Sequence, residues 1–250
     1  MAEALLSIEN VSKRFGGLRA LSEASFAVMP ERITALIGPN GAGKTTLFSI
    51  ISGFLAADEG RIVYQGADVT GETAHRRARR GIARTFQMVQ PFAGLTVREN
   101  IAVGSHLAHA RRADALVAAT EVALSVGLGP MLDAPAAALT VAYRKRLELA
   151  RALAIVPRLL LLDEVLAGLN PSEIRDMVPV IRAIASRGVT ILMIEHVMQA
   201  VMSLAEQVLV LAEGRIIAQG TPLEVAADRQ VVEAYLGQGA AKRMIGGAAL

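Results

Sequence analysis

A chain of 250 residues, 53% of them hydrophobic and none of them cysteine, can bury a sizeable core and cannot use disulfides or thiolate metal sites. Its mean hydropathy of +0.43 raises the question of a membrane span, yet the uncharged run Thr45 to Ala57 is too short to cross a bilayer. A formal net charge of +3 does not by itself argue for nucleic acid. The first residues, MAEALLSIEN, lack the basic start and apolar stretch of a secretory signal, so none is expected and a cytosolic setting is compatible.

In chain order, Leu5 to Val11 alternates as a strand, gives way to the glycine turn in SKRFGGLRAL, and is followed by a second strand around Ser25 to Met29. Phe15 in that turn either stacks on a base or belongs to the core. From Ile33 to Leu47, ITALIGPNGAGKTTL runs from apolar and β-branched residues through a glycine-rich turn into a helical pattern. Gly38, Gly43, Lys44 and Thr45 match the phosphate-loop spacing G-x-x-x-x-G-K-[ST] in its strand-loop-helix setting. Glycines let successive N–H groups turn inward as an anion nest, and the helix behind points its positive end at the same place. Gly38, Pro39, Asn40, Gly41, Ala42, Gly43, Lys44, Thr45 and Thr46 are thus expected around a bound polyphosphate. Lys44 would reach the β and γ phosphates, and the Thr45 hydroxyl would take one position on Mg²⁺.

GRIVYQGADVT then has a turn-strand-turn composition, and TAHRRARRGIARTFQ gathers Arg76, Arg77, Arg79, Arg80 and Arg84. Such a run is a solvated helix face, or a surface facing lipid headgroups or a membrane partner; the interleaved aromatics of nucleic-acid binding are absent. Met88 to Pro157 reads as a mostly helical insertion, clearest over Ala113 to Val126 and Arg144 to Ile155. LLLLDE, ending at Glu164, is the continuous apolar run of a central parallel strand closed by two acids. Asn170-Pro171-Ser172-Glu173 is a capped helix start. Gly188 breaks to a buried strand, Val189 to Ile194, ending in Glu195 and His196. Glu206 to Leu211 and Arg215 to Gln219 flank a hairpin turn at Glu213-Gly214. Thr221-Pro222-Leu223-Glu224 repeats the capped start, Tyr235 lies in the last helix, and residues 237–250 have the composition of a flexible, frayed end.

The alternation of strands and helices predicts an α/β fold, whose ligands sit at the carboxyl ends of the strands. Three strands deliver polar groups there: the phosphate loop, Asp163 with Glu164, and His196. Asp163 is the expected Mg²⁺ partner, and Glu164 could polarise a water for attack on the γ phosphate. Either acid alone could be a helix cap, and His196 alone could be merely hydrogen-bonded.

Taken together, GPNGAGKTT, RTFQ, LTVAYRKRLELARAL, LLLLDE, AGLNP and ILMIEH resemble the ATP-binding cassette (ABC) ATPases in order and approximate spacing, over roughly Leu5 to Leu236. RFGGL, GIARTFQ, AGLNP, IEHVM and EAYLG look more narrowly like the cassettes of bacterial importers for branched-chain and other hydrophobic amino acids. The resemblance implies a P-loop NTPase fold: a RecA-like core sheet, an antiparallel β subdomain, and a helical subdomain inserted at about 88–157 of a single domain, 1–236. It implies an ATP- and Mg²⁺-dependent motor at the cytoplasmic face of the bacterial inner membrane. Its expected partners are two transmembrane permease subunits, a second cassette of like or unlike chain and, indirectly, an external substrate-binding protein, with no nucleic acid. By position, Phe15 would stack on adenine, Gln87 would contact Mg²⁺ and the attacking water, and Asp163 would bind the metal. Glu164 would be the catalytic base and His196 would touch the γ phosphate. Asn170, with Thr140 and Ala142 of the signature segment, would face the nucleotide of the partner cassette.

The usual signature L-S-G-G-Q stands here as Leu139-Thr140-Val141-Ala142-Tyr143, and Val165 replaces the proline that commonly follows the acid pair. Losing one well-placed donor to developing phosphate charge can cost ~100-fold in rate. A second hypothesis is therefore a nucleotide switch with weak turnover beside a catalytic sister cassette. A third, a soluble ABC protein of repair or translation, predicts an internal repeat or sustained heptads, and neither is present.

Overall fold

The computed structural model describes residues 3–86 and 90–236. An antiparallel sheet opens the chain: β1 (Leu6–Phe15) pairs with β2 (Leu18–Val28) and with β4 (Glu59–Tyr64), which carries the short β5 (Ala67–Asp68) at its far edge. The first two strands run closer to the Gly16-Gly17 turn than the alternation suggests. Register shifts between Ile8 and Val11, Val11 and Lys13, and Lys13 and Arg14 explain this, because a bulge flips the inward side chain and breaks the period of two. Phe15 pairs with Leu18 at the tip and is 48% exposed, so the core reading of that ring is set aside.

The second sheet has six strands, in the order β10-β9-β3-β8-β7-β6. Its strands are β3 (Ile33–Ile37), β6 (Ile82–Arg84), β7 (Leu159–Asp163), β8 (Thr190–Ile194), β9 (Gln207–Ala212) and β10 (Arg215–Gly220). All neighbours are parallel except the β9–β10 hairpin, which turns at Glu213-Gly214. Every residue of β3, β7 and β8 is buried, because both faces of the sheet are covered. Leu159 and Leu161 face a core shared with the antiparallel sheet, while Leu160 and Leu162 face a core shared with helices. The edge strand β6 is missing from the sequence reading, which took Arg76 to Arg84 as one basic stretch.

Helix α1 (Lys44–Ile51) follows the loop after β3, and α2 (Ala74–Arg79) precedes β6. Between β6 and β7 lie α3 (Val97–Ser105), α4 (Arg112–Ser125) and α5 (Val141–Leu153), with α3 packed on α4 and α5. Capping boxes start α3 at Thr96/Glu99 and α6 (Pro171–Ala185) at Asn170/Glu173. The chain continues through α7 (Met198–Leu204), α8 (Pro222–Ala227), capped by Thr221/Glu224, and α9 (Arg229–Leu236). Among the described residues no helix is long and apolar enough to cross a membrane.

The arginine run is not one surface. Arg76, Arg79 and Arg80 are exposed, and Arg80 pairs with Glu72, but Arg77 is 1% exposed. Its guanidinium donates to the carbonyls of Ile50, Ile51, Val69 and Thr70. Two of these are carbonyls of the last turn of α1, so Arg77 closes that helix with a positive charge where its dipole favours one. Arg77→Met would strip the guanidinium's hydrogen bonds from these buried carbonyls, of which Ile50 and Val69 keep a backbone donor, at a cost of about 3–5 kcal/mol. Thermal unfolding should show a drop in Tm on the order of 10 °C. Arg76→Gln and Arg79→Gln should each stay within about 0.5 kcal/mol of the parent; equal effects at all three positions would refute the assignment.

Candidate nucleotide site

The loop after β3 is wedged between the two sheets. A Cβ on Gly38 would lie 2.0 Å from the Leu211 carbonyl oxygen of β9, and one on Gly43, at φ 106°, would lie 2.4 Å from the Ala20 carbonyl oxygen of β2. Only hydrogen fits at either place, so the loop's course is dictated by backbone on both sides. The Ala42 carbonyl accepts from Gly214 N–H at 3.0 Å, which ties the loop to the β9–β10 turn. Lys44 is buried and its Nζ donates to the carbonyls of Gly38 (2.7 Å) and Pro39 (2.9 Å), folding back over the loop. Burial pushes the Lys44 pKa down, opposed by the charges of Glu164 and Asp163.

A cleft of about 300 Å³ runs from Phe15 and Leu18 along Asn40–Thr46 to Glu164, so the expected base-stacking ring, the phosphate loop and the acid share one cavity. Lys13 Nζ sits 5.7 Å from the centre of the Phe15 ring. Thr45, whose side chain is exposed, lines a second recess with Asp163, Arg84 and Gln90. Hydroxyl and carboxylate oxygens suit a hard cation that takes its remaining ligands from water and phosphate. Among the described residues no group of three or more His, Cys, Asp or Glu could hold a metal.

At the neighbouring strand ends, the Asp163 carboxylate accepts from Arg84 at 2.8 Å, both side chains being buried, and its N–H donates to Thr85 Oγ1. Glu164 adopts a left-handed backbone, φ 50°, and its Oε1 lies 2.9 Å from His196 Nε2. Strained non-glycine backbone of this kind collects at functional sites. Thr140 and Asn170 lie elsewhere: each is exposed and serves as the N-cap of a helix, α5 and α6 respectively. Thr140, Ala142 and Tyr143 line a separate cleft with Glu173 and Asp176, so the signature segment does not meet the phosphate loop of its own chain. Ala142 sits in the first turn of α5 in ordinary helical backbone, where no glycine is required. Gln87 lies outside the described residues, as does the tail 237–250.

Three ionisable groups to which the sequence reading gave no role at the site lie against it. Arg84 bridges Asp163 to Ser49 and Ser52 of α1. Lys145 and Glu195 are buried behind Glu164. Glu195 was legible as an acid directly after an apolar strand, but its contacts were not.

A parallel sheet that carries such a loop, with an acid pair ending the strand two places along, defines a P-loop nucleotide-binding cassette. Residues 21–167 match the family described as ABC transporter, and residues 215–241 match the one described as branched-chain amino acid ATP-binding cassette transporter. The branched-chain amino acid transport ATP-binding protein BraF of Pseudomonas aeruginosa is 35% identical over 95% of this chain and 100% of its own length. Its counterpart LivG of Escherichia coli is 36% identical over the same shares. The lipopolysaccharide export ATP-binding protein LptB of Haemophilus influenzae is 35% identical over 94% of this chain and 98% of its own. An ATP-binding cassette of an ABC transporter, solved in its ADP conformation, superposes with a TM-score of 0.86 at 32% identity, covering 95% of this chain and 100% of that one. The chain belongs to the ABC transporter family, with the fold of its ATP-binding cassettes, which are ATPases.

Burial raises the Glu195 pKa from 4.5 to about 7, offset in part by the N–H groups of Leu166 and His196 and by Lys145, while Glu164 adds to the rise. The folded protein therefore holds this proton where the unfolded chain has released it. Stability tied to Glu195 is present below pH 4.5 and is lost as pH rises to about 7. Glu195→Gln removes this dependence. The stability of the variant minus that of the parent, from denaturant unfolding at a series of pH values, should grow across this window by on the order of 3 kcal/mol. A difference that stays flat with pH would exclude it.

Proposed function

We propose that this chain is the ATP-hydrolysing cassette of an importer for branched-chain or other hydrophobic amino acids. In this reading it sits peripherally at the cytoplasmic face of the membrane on two permease subunits and works as a dimer of like or unlike cassettes. The observation that carries the enzymatic part is the shared cleft of phosphate loop and Glu164, with His196 at 2.9 Å from that carboxylate. The match over residues 215–241, together with BraF and LivG, favours amino acids over the lipopolysaccharide of the LptB relative.

In the proposed cycle the inward N–H groups of the loop and Lys44 hold the polyphosphate, and Phe15 stacks on the base. Thr45 and Asp163 would hold Mg²⁺, with Gln87 assigned to it by the resemblance alone, and the ion would supply positive charge against the phosphates. Glu164 accepts the proton of the attacking water, and its bond to His196 fixes the carboxylate while leaving the imidazole next to the γ position. Lys44 releases the Gly38 and Pro39 carbonyls for phosphate, which substitutes one set of oxygen partners for another. The exposed N-terminus of α5, with Thr140 and Ala142, and the Asn170 cap would meet the nucleotide of the partner cassette. ATP then binds the closed dimer better than the open one, and that difference is what can move the permease. Hydrolysis resets it.

The permease would dock in the cleft of about 500 Å³ between α2 and the α3–α5 lobe, where Phe54 and Phe86 meet edge to face at 5.5 Å. The weak-turnover reading draws on the altered signature from Leu139 to Tyr143 and on Val165 after the acid pair; at Ala142, ordinary helical backbone favours an N–H still available to phosphate.

Glu164→Gln should lower kcat at least ~100-fold while the variant retains Mg-ATP and accumulates as a nucleotide-bound dimer, read by steady-state hydrolysis and size exclusion. Retained turnover would remove Glu164 as the base. Lys44→Ala should abolish Mg-ATP binding. With the co-purifying permease and binding protein in vesicles, the same variant should abolish ATP-driven leucine uptake; vesicles of the parent complex that hydrolyse ATP and take up no branched-chain amino acid would refute the cargo assignment.

A further inference from the structure

Glu164 is held in an unfavourable conformation by groups that do not touch the cleft. Its N–H donates to the Ile194 carbonyl at 3.0 Å, and its carbonyl accepts from Lys145 Nζ at 3.1 Å and from Ala167 N–H at 3.1 Å. Two residues on, the Leu166 N–H donates to Glu195 Oε1 at 2.9 Å. Lys145 comes from α5 and is 7% exposed; Glu195 follows β8 and is 2% exposed. Burying an ionisable side chain is costly unless its polar atoms are well bonded. What the two share is their target, the main chain from Glu164 to Leu166.

We propose that Lys145 and Glu195 are positioning residues that lock the left-handed turn at Glu164, and so aim its carboxylate at the attacking water. The inference rests on the reading of Glu164 as the base. A left-handed non-glycine residue persists only where its surroundings over-determine it. Here a cation on the carbonyl of the turn and a carboxylate on the N–H two residues later close it from both ends. Removing either lets φ relax toward negative values, which swings the Cα–Cβ bond and with it the carboxylate. Lys145 also joins this turn to the helix whose first residues are assigned to the partner's nucleotide. A shift of α5 on dimer closure would therefore be felt at the main chain of the hydrolysing glutamate.

The test uses the full-length protein and four variants: Lys145→Met, Glu195→Ala, Glu195→Gln and, as reference, Glu164→Gln. Hydrolysis kinetics, Mg-ATP affinity from a fluorescent analogue, and Tm are read for each. Misplacement of a reacting group by about 1 Å costs about 100-fold, so Lys145→Met and Glu195→Ala should lower kcat by about 10- to 100-fold with Mg-ATP affinity within about twofold of the parent. Glu195→Gln keeps a carbonyl oxygen for the Leu166 N–H and should restore kcat to within about threefold. A purely structural role would lower Tm without this split between kcat and affinity, and without rescue by glutamine. If Glu195→Ala does not fold, Glu195→Asp, which withdraws the carboxylate by one methylene, carries the same expectation. Parent-like kcat in Lys145→Met and Glu195→Ala, with Glu164→Gln inactive, overturns the inference and leaves the base assignment standing. Turnover in Glu164→Gln overturns the base assignment instead.

Discussion

Two main-chain oxygens set the shape of the turn between β3 and α1. The Leu211 carbonyl occupies the space a side chain would need at Gly38, and the Ala20 carbonyl occupies it at Gly43. One oxygen belongs to the parallel sheet and the other to the antiparallel hairpin, so the turn is clamped by two layers that meet only because the whole domain has folded. Preorganisation of this kind is what lets backbone N–H groups bind phosphate without further rearrangement. The cleft that runs from Phe15 to Glu164 exists because those same layers flank the loop.

Around that clamp the protein buries an unusual set of ionisable side chains. Arg77 closes the far end of α1, Arg84 links α1 to Asp163, and Lys145 and Glu195 stand behind Glu164. Each is fastened to main chain or to another charge, which is the condition under which a buried ion is tolerated. Arg84, Lys145 and Glu195 together join α1, β6, β7, β8 and α5 at the carboxyl edge of the sheet. A site that must hold a polyphosphate and an attacking water gains from such stiffness, since a small displacement of the reacting groups costs far more than a small loss of stability.

The described residues line two separate clefts, which the proposed function assigns to the two halves of a nucleotide site. The phosphate loop and Glu164 line one cleft, while Thr140, Ala142 and Tyr143 line another with the first turns of α6. The exposed N-terminus of α5 offers unpaired N–H groups and a favourable dipole end to an anion that the chain does not itself deliver there. This geometry is what a nucleotide shared between two cassettes requires, and it is the reason the proposed function is a dimer's rather than a monomer's.

Local spacing was enough to read the phosphate loop, the LLLLDE strand, the helix starts at Asn170 and Thr221 and the hairpin at Glu213-Gly214, because each depends on residues within a few positions of one another. The Thr96/Glu99 cap of α3 carried the same kind of signal and went unread. Bulges hid the full length of β1 and β2, since they disturb the alternation on which the reading relies. The arginines show where local reading stops: Arg76 and Arg77 are neighbours in sequence, yet one is solvated and the other is buried against four carbonyls. By itself, then, the sequence determined which residues could bind phosphate, metal and water, because those chemistries demand particular side chains at short spacing. Only the tertiary structure decided which charges are buried, that Glu164 is held left-handed by Lys145 and Glu195, and that the signature segment turns away from its own loop. Those outcomes depend on contacts between strands and helices far apart in the chain, and desolvation is a property of the assembled core rather than of any segment of it.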